Sequence, residues 1–418
     1  MATVLLTWEL GGGLGHCVKL APVAAGLVAR GHLVYFAAHD VATAQRVLQN
    51  PRVKYLQSPF VAKQPQISHQ TRTFAQVLEE VGFGDDQSLR ALITSWRNLF
   101  DLIQPQLIIC EHSPSALLAG RWTDTQMAVI GTGFSLPPNI SPLPDLCPWL
   151  DPPTIDLAVN ESRMLDRMNQ LLARDHLPQL DRLSQLYADV QDSFLLTFQE
   201  LDHYPGRGAA QYLGCWAPSG GMEPEWPVGK GPRVFAYLKS QTLSFRLDVA
   251  LAVMRELPIR TLAYVPAASK RILSFQSRSL RISTEPVRIP DALNQCDLAV
   301  LNGTAGTATQ CLLAGLPLVT VPIYLEQLTF CRRVVELGAG VITNPNRLEL
   351  LAARVWRVLQ TNSYRSAARA FADRYASFDP EQTKLRVIDR VDALLTGNST
   401  VPPPHRKPHP AKAVAPLD

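Results

Sequence analysis

Two spacings of apolar residues alternate along the chain. Short apolar or β-branched runs at residues 3–7, 33–38, 107–110, 127–130 and 195–197 are separated by stretches of near-helical spacing, as at Val18, Leu20, Val23, Leu27 and Val28. The short runs predict buried strands, and the longer period predicts amphipathic helices. Strand and helix in alternation imply a parallel sheet with helices on both faces, since parallel neighbours need a crossover connection. The pattern stops over residues 214–231, which are dense in Pro and Gly and read as a linker. It restarts with strands at 234–237, 261–264, 298–301 and 318–321 and helices near 245–256, 305–314 and 326–337, then terminal helices at 348–360, 363–377 and 383–395. The expected organisation is therefore an α/β domain over 1–214, a linker over 215–232, a second α/β domain with terminal helices over 233–398, and a Pro-rich disordered tail over 399–418.

Composition narrows the function classes. Apolar residues make up 46% of the chain and charged residues 18%, which excludes a disordered chain. Forty basic against 36 acidic residues leave a charge of +4, too little for binding nucleic acid by counterion release. A small-molecule partner or a modest surface is expected instead, and oligomeric state is left open. The seven cysteines form no C-x-x-C pair, so neither a disulfide framework nor a zinc ribbon is indicated and a reducing cytoplasm fits best. The apolar start at residues 4–6 lacks a basic flank and reads as a strand rather than a signal peptide. No stretch is long and apolar enough to span a membrane, although a peripheral contact is compatible with the sequence.

Two loops emerge where a parallel sheet binds ligands, at the carboxyl ends of strands. The first runs Gly11, Gly12, Gly13, Leu14, Gly15 and His16 into a helix, and lacks the third glycine of a dinucleotide fingerprint. Asp40, after the second strand, reads either as a ribose-binding acid or as a plain helix N-cap. The second loop, Asn302, Gly303, Thr304, Ala305, Gly306 and Thr307, also passes from strand to helix. Backbone N–H groups and the helix dipole there suit a diphosphate, with the Thr304 and Thr307 hydroxyls as further donors; a tight turn with Thr caps is the structural alternative.

These residues resemble a family. Cys296-Asp297-Leu298, the loop from Asn302 to Thr307, Gly315-Leu316-Pro317, Pro322, Glu326-Gln327 and Gly338-Ala339-Gly340 look like the donor-binding motif of family 1 GT-B glycosyltransferases, which are UDP-glycosyltransferase-like enzymes using nucleotide sugars. Gly15-His16 and Arg30-Gly31-His32 are similar to the same family's N-terminal start. The resemblance implies two Rossmann-like parallel-sheet domains facing a central cleft, and a nucleoside-diphosphate sugar, UDP- or dTDP-linked, as co-substrate with no cofactor or metal. It implies that residues 303–307 cradle the donor diphosphate, that Glu326 and Gln327 bind sugar hydroxyls, and that Gly13 and Gly15 line the loop near donor and acceptor. It further implies that His16 is the general base and that Glu111, at the end of the fourth strand, orients it. A carboxylate beside a histidine would stabilise the imidazolium as it forms, which suits that role.

The chain departs from the family at two positions. Asn302 stands where a phosphate-contacting His is usual, and Gln310 where a ribose-binding Glu is common; an amide donates a hydrogen bond but supplies no charge. The long loop over 131–153, with Phe134, Leu136 and Trp149, reads either as a wall for an apolar acceptor or as packing over the core. Residues 231–288 hold ten basic and three acidic residues, and Arg288 is the candidate donor contact among them. The function expected is inverting transfer of a sugar from a nucleoside diphosphate to a hydroxyl of an apolar small-molecule or lipid acceptor. The alternatives are a weak or inactive sugar-nucleotide-binding or activator protein on the same fold, a nucleotide-sugar epimerase, and an NAD-dependent enzyme.

Overall fold

A computed structural model describes residues 1–61, 71–153, 156–216, 220–239 and 245–397, so the expected tail over 399–418 lies outside the described residues. The chain forms two compact units: Met1–Thr197 with Tyr204–Gly214 and the segment from Pro380 onward, and Phe198–His203 with Cys215–Asp379.

The first unit holds a six-stranded sheet of β1 (Thr3–Trp8), β2 (Leu33–Ala38), β3 (Lys54–Gln57), β4 (Leu107–Glu111), β5 (Gln126–Gly131) and β6 (Asp192–Leu195), in the order β3-β2-β1-β4-β5-β6. Every pairing is parallel. Central strands are buried on both faces, so β1 and β4 are almost wholly apolar, whereas the edge strand β3, Lys-Tyr-Leu-Gln, keeps both ends exposed. That exposure is why the apolar pattern misses β3. The last strand of this sheet lies at Asp192–Leu195, three residues before the predicted run, because Asp192 is buried and held by Arg390.

The second sheet has β7 (Arg233–Tyr237), β8 (Arg260–Tyr264), β9 (Leu280–Ser283), β10 (Leu298–Leu301), β11 (Leu318–Thr320) and β12 (Gly340–Ile342), in the order β12-β11-β10-β7-β8-β9, again all parallel. Both sheets therefore reverse winding direction at their centre, between β1 and β4 in the first and between β7 and β10 in the second. Connections on the two sides of such a switch point diverge and leave a crevice at the carboxyl ends, where ligands of open α/β sheets bind.

Two domain expectations are corrected. Residues 215–232 lie within the second unit, where Met222 bridges Val287 and the Arg233 guanidinium lies over the Trp226 ring. The C-terminal helix Pro380–Thr396 belongs to the first unit instead of the second. It packs on the helix Leu14–Ala29 with Ile388 seated over Gly26, where a Cβ would stand 2.5 Å from Ile388 Cδ1. Arg30 pairs with Asp389 and Asp392, and His32 Nε2 lies 2.8 Å from Asp392 Oδ1. His32 Nδ1 accepts from the Ala2 N–H at 3.2 Å, so Nε2 carries the proton and donates to Asp392. No helix among the described residues is long and apolar enough to cross a membrane.

Candidate active site

The first crevice is built from the ends of β1 and β4, which pair with Trp8 opposite Glu111. Gly13, at φ 98°, caps the helix Leu14–Ala29, and His16 sits in its first turn with Gly15 before it. This places the imidazole beside a carboxylate distant in sequence: His16 Nδ1 lies 2.6 Å from Glu111 Oε2, and Lys19 Nζ lies 2.8 Å from Oε1. Glu111 is fully buried. Burial alone raises a carboxyl pKa, but the charges of His16 and Lys19 and the His16 hydrogen bond outweigh it and hold Glu111 at about 2. At neutral pH Glu111 is therefore an acceptor only, so His16 Nδ1 carries the proton and donates. In the neutral ring, Nε2 is left with a free lone pair.

The ring is held on several sides. Trp8 stacks on it at 5.2 Å and 14°, and His112 lies 6.0 Å away at 27°. Gly11, at φ +82°, passes so close that a Cβ would lie 2.5 Å from Nε2. Trp8 Nε1 donates to the Leu10 carbonyl at 2.9 Å, and the Leu10 N–H donates to the His112 carbonyl at 3.1 Å, so the glycine loop is tied to both strand ends. Sequence reasoning missed Trp8, Gly11 and His112 as the cradle of His16; the one available signal was a Trp closing an apolar strand immediately before the glycine run.

The loop over 131–153 is packed against the core. Leu136 belongs to the first unit's core, and Phe134 is 6% exposed, set edge-on to His112 at 6.1 Å and to Phe74 at 6.2 Å. Trp149 is half-buried. Buried Arg72 fastens the loop through Asp145 and the Cys147 carbonyl, and Glu161 accepts from the Leu143 N–H and the Ser141 hydroxyl. Phe134 reaches the ring cluster that surrounds His16. Asp40 is a plain N-cap, accepting from the Thr43 N–H at 3.0 Å and the Thr43 hydroxyl at 2.6 Å.

The second crevice is built from the ends of β7 and β10. Thr304 caps the nine-residue helix Ala305–Leu313 without a side-chain hydrogen bond, leaving the first-turn N–H groups beside Gly306 and Thr307 free of a side-chain cap. Gly303, at φ +86°, lies over Cys331, whose Sγ would meet a Cβ there at 2.2 Å. The Asn302 amide is engaged within the fold. Its Oδ1 accepts from the Lys239 N–H at 2.7 Å and its Nδ2 donates to the Val321 carbonyl at 3.1 Å, so its amide ties the ends of β7 and β11 to β10. Gln327 Oε1 accepts from the Ile323 N–H at 2.9 Å, while half-buried Glu326 stands in the first turn of the helix Leu325–Glu336. Gln310 Nε2 lies 4.0 Å from Cys215 Sγ. Arg288 is exposed at the start of the helix Ile289–Leu293 and paired with Asp291 at 2.7 Å. Among the described residues no group of three or more His, Cys, Asp or Glu is placed to hold a metal ion.

Comparison with known proteins agrees with this architecture. Residues 258–393 match the EryCIII-like C-terminal domain family, described as the C-terminal domain of erythromycin biosynthesis protein CIII-like proteins. A PGL/p-HBAD biosynthesis glycosyltransferase of Mycobacterium tuberculosis is 24% identical over 318 residues, covering 70% of this chain and 72% of that protein. Among solved structures, spinosyn rhamnosyltransferase SpnG superposes with a TM-score of 0.65 at 17% identity over 93% of this chain and 100% of its own. It is also known in complex with spinosyn aglycone and with thymidine diphosphate. The calicheamicin glycosyltransferase CalG4 has a TM-score of 0.69 at 15% identity over 94% and 98% of the two chains. On these likenesses the chain has the two-sheet fold of the GT-B glycosyltransferases, and its residues 258–393 match the EryCIII-like C-terminal domain family.

Proposed function

We propose that the protein transfers a sugar from a nucleoside diphosphate, dTDP or UDP, to a hydroxyl of an apolar aglycone with inversion at the anomeric carbon, using His16 as general base. The observation that carries this reading is the buried Glu111–His16 pair, which leaves Nε2 of the neutral ring free to accept a proton. The acceptor oxygen attacks the anomeric carbon while its proton passes to Nε2, and the bond from that carbon to the diphosphate oxygen breaks. Glu111 stabilises the imidazolium that results. Charge on the departing diphosphate is met by the N–H groups at the start of the helix Ala305–Leu313, with Thr304 and Thr307 adjoining. Glu326 is assigned to the sugar hydroxyls. Such charge stabilisation asks for no metal, so turnover is expected to survive EDTA. A dTDP sugar is the first donor to test, because SpnG is known with thymidine diphosphate. The acceptor class rests on Phe134 beside the His112 ring and on SpnG's complex with an aglycone.

A second reading, a sugar-nucleotide-binding protein without turnover, is favoured by one observation: the Asn302 amide is engaged inside the fold and brings no charge to the donor. Calorimetric titration with dTDP, UDP, GDP and NAD, followed by product assays with sugar donors and apolar aglycones, separates the readings. Micromolar binding of a pyrimidine diphosphate, about 8 kcal/mol, together with a glycosylated product supports transfer. Binding without product supports the second reading, and NAD binding alone overturns both.

A further inference from the structure

The winding reversal between β7 and β10 places two segments on either side of the second crevice: residues 238–239 after β7 and 302–304 after β10. Lys239 is the only charged residue among these five. Its backbone is fixed by the loop it faces, since its N–H donates to Asn302 Oδ1 at 2.7 Å. Its ammonium lies over the Tyr237 ring, 5.6 Å from the centroid, and Tyr237 is in turn stacked on Tyr264 at 5.0 Å. Among the described residues it forms no ion pair, and Glu326 acts on it only as a nearby favourable charge. Burial pulls the Lys239 pKa below its usual 10.5, and the pull of Glu326 offsets this only in part. A half-buried, incompletely neutralised cation thus stands at the carboxyl edge of the sheet where a diphosphate would arrive.

We propose that Lys239 is the residue that contacts the donor diphosphate and supplies the positive charge that Asn302 does not. This inference rests on the donor reading of the second unit. Asn302 then acts at one remove, as a positioning residue that holds the Lys239 backbone. An anion needs more than the partial charge of a helix N-terminus when the site also contains a carboxylate, and Glu326 is such a carboxylate. A cation within the field of Glu326 offsets the repulsion between that carboxylate and the phosphates. Arg288, by contrast, is exposed and already paired with Asp291.

The test is calorimetric titration of the full chain and of Lys239→Met and Lys239→Arg with thymidine diphosphate and with thymidine, at low and high salt. Lys239→Met is expected to weaken thymidine diphosphate about 10- to 100-fold, flatten its salt dependence and leave thymidine within about twofold, while Lys239→Arg keeps most of the affinity. Unchanged thymidine binding in the Met variant also reports that its site is folded. Thymidine diphosphate binding equal to wild type in Lys239→Met would overturn the assignment and leave the donor reading standing. Equal loss for thymidine and its diphosphate would also overturn it, as a structural effect. If the unaltered chain binds no nucleoside diphosphate, the donor reading fails and the Lys239 assignment fails with it.

Discussion

At the scale of single residues, the site depends on protonation states set by burial. Replacing His16 by Ala is expected to lower turnover by about 10²- to 10⁴-fold while calorimetry shows nucleotide affinity within about twofold, because the base acts on the acceptor and not on the nucleotide. Glu111→Gln is expected to lower turnover too, since an amide does not stabilise imidazolium as a carboxylate does. Two buried carboxyls give opposite pH trends in stability. Glu111 is held at about 2 against an ordinary 4.5, so the fold prefers its charged form. Its contribution, on the order of 3 kcal/mol, is present above pH 4.5 and is lost as pH falls toward 2. Glu9, buried beneath the Ser115 N–H and hydroxyl, is pushed up to about 7 by burial. The fold prefers its protonated form, so that contribution is complete below pH 4.5 and is lost as pH rises through 7. Thermal melts of Glu9→Gln at pH 5 and pH 8 check the sign: the variant should gain on wild type at pH 8, and an equal difference at both pH values would refute it.

At the scale of elements, the loops are shaped by close approach. Gly303 combines φ +86° with a Cβ position 2.2 Å from Cys331 Sγ, so Gly303→Ala meets both backbone strain and a clash. A loss of about 3 kcal/mol is expected by denaturant unfolding, and Cys331→Ala in the same chain should recover the clash but not the strain. Simple additivity of the two changes would count against this geometry. Strand–loop–helix punctuation was legible for a related physical reason: β1 and β10 are inner and buried, so their apolar runs and following glycines stand out. The strands β9 and β12 have four and three residues and lie at the two edges of their sheet, too short to carry a period.

At the scale of the whole molecule, the C-terminal helix is part of the first unit's core. Ile388, 6% exposed and lying over Gly26, should cost about 2–4 kcal/mol when changed to Ala. Differential scanning calorimetry should show the melting of the first unit lowered and that of the second unmoved. A shift in the second unit alone would contradict the placement. Arg30-Gly31-His32, read in the sequence through its resemblance to a family start, proves to hold this helix through Asp389 and Asp392.

Much was determined by local order along the chain: two sets of strands alternating with helices, the glycine loop before His16 and the small-residue loop after β10, whereas the candidacy of His16 with Glu111 came from the resemblance to a family. The elements and loops are a matter of period, turn residues or side-chain chemistry, all of which act over a few neighbours. Only the tertiary structure decided which distant residues meet. It set Glu111 and Lys19 on His16, stacked Trp8 on the ring, used Asn302 to hold Lys239, buried Leu136 in the core and returned the last helix to the first unit. Those pairings follow from strand order and packing between segments far apart in the chain, and hydrogen bonds and burial exist only once these segments are brought together.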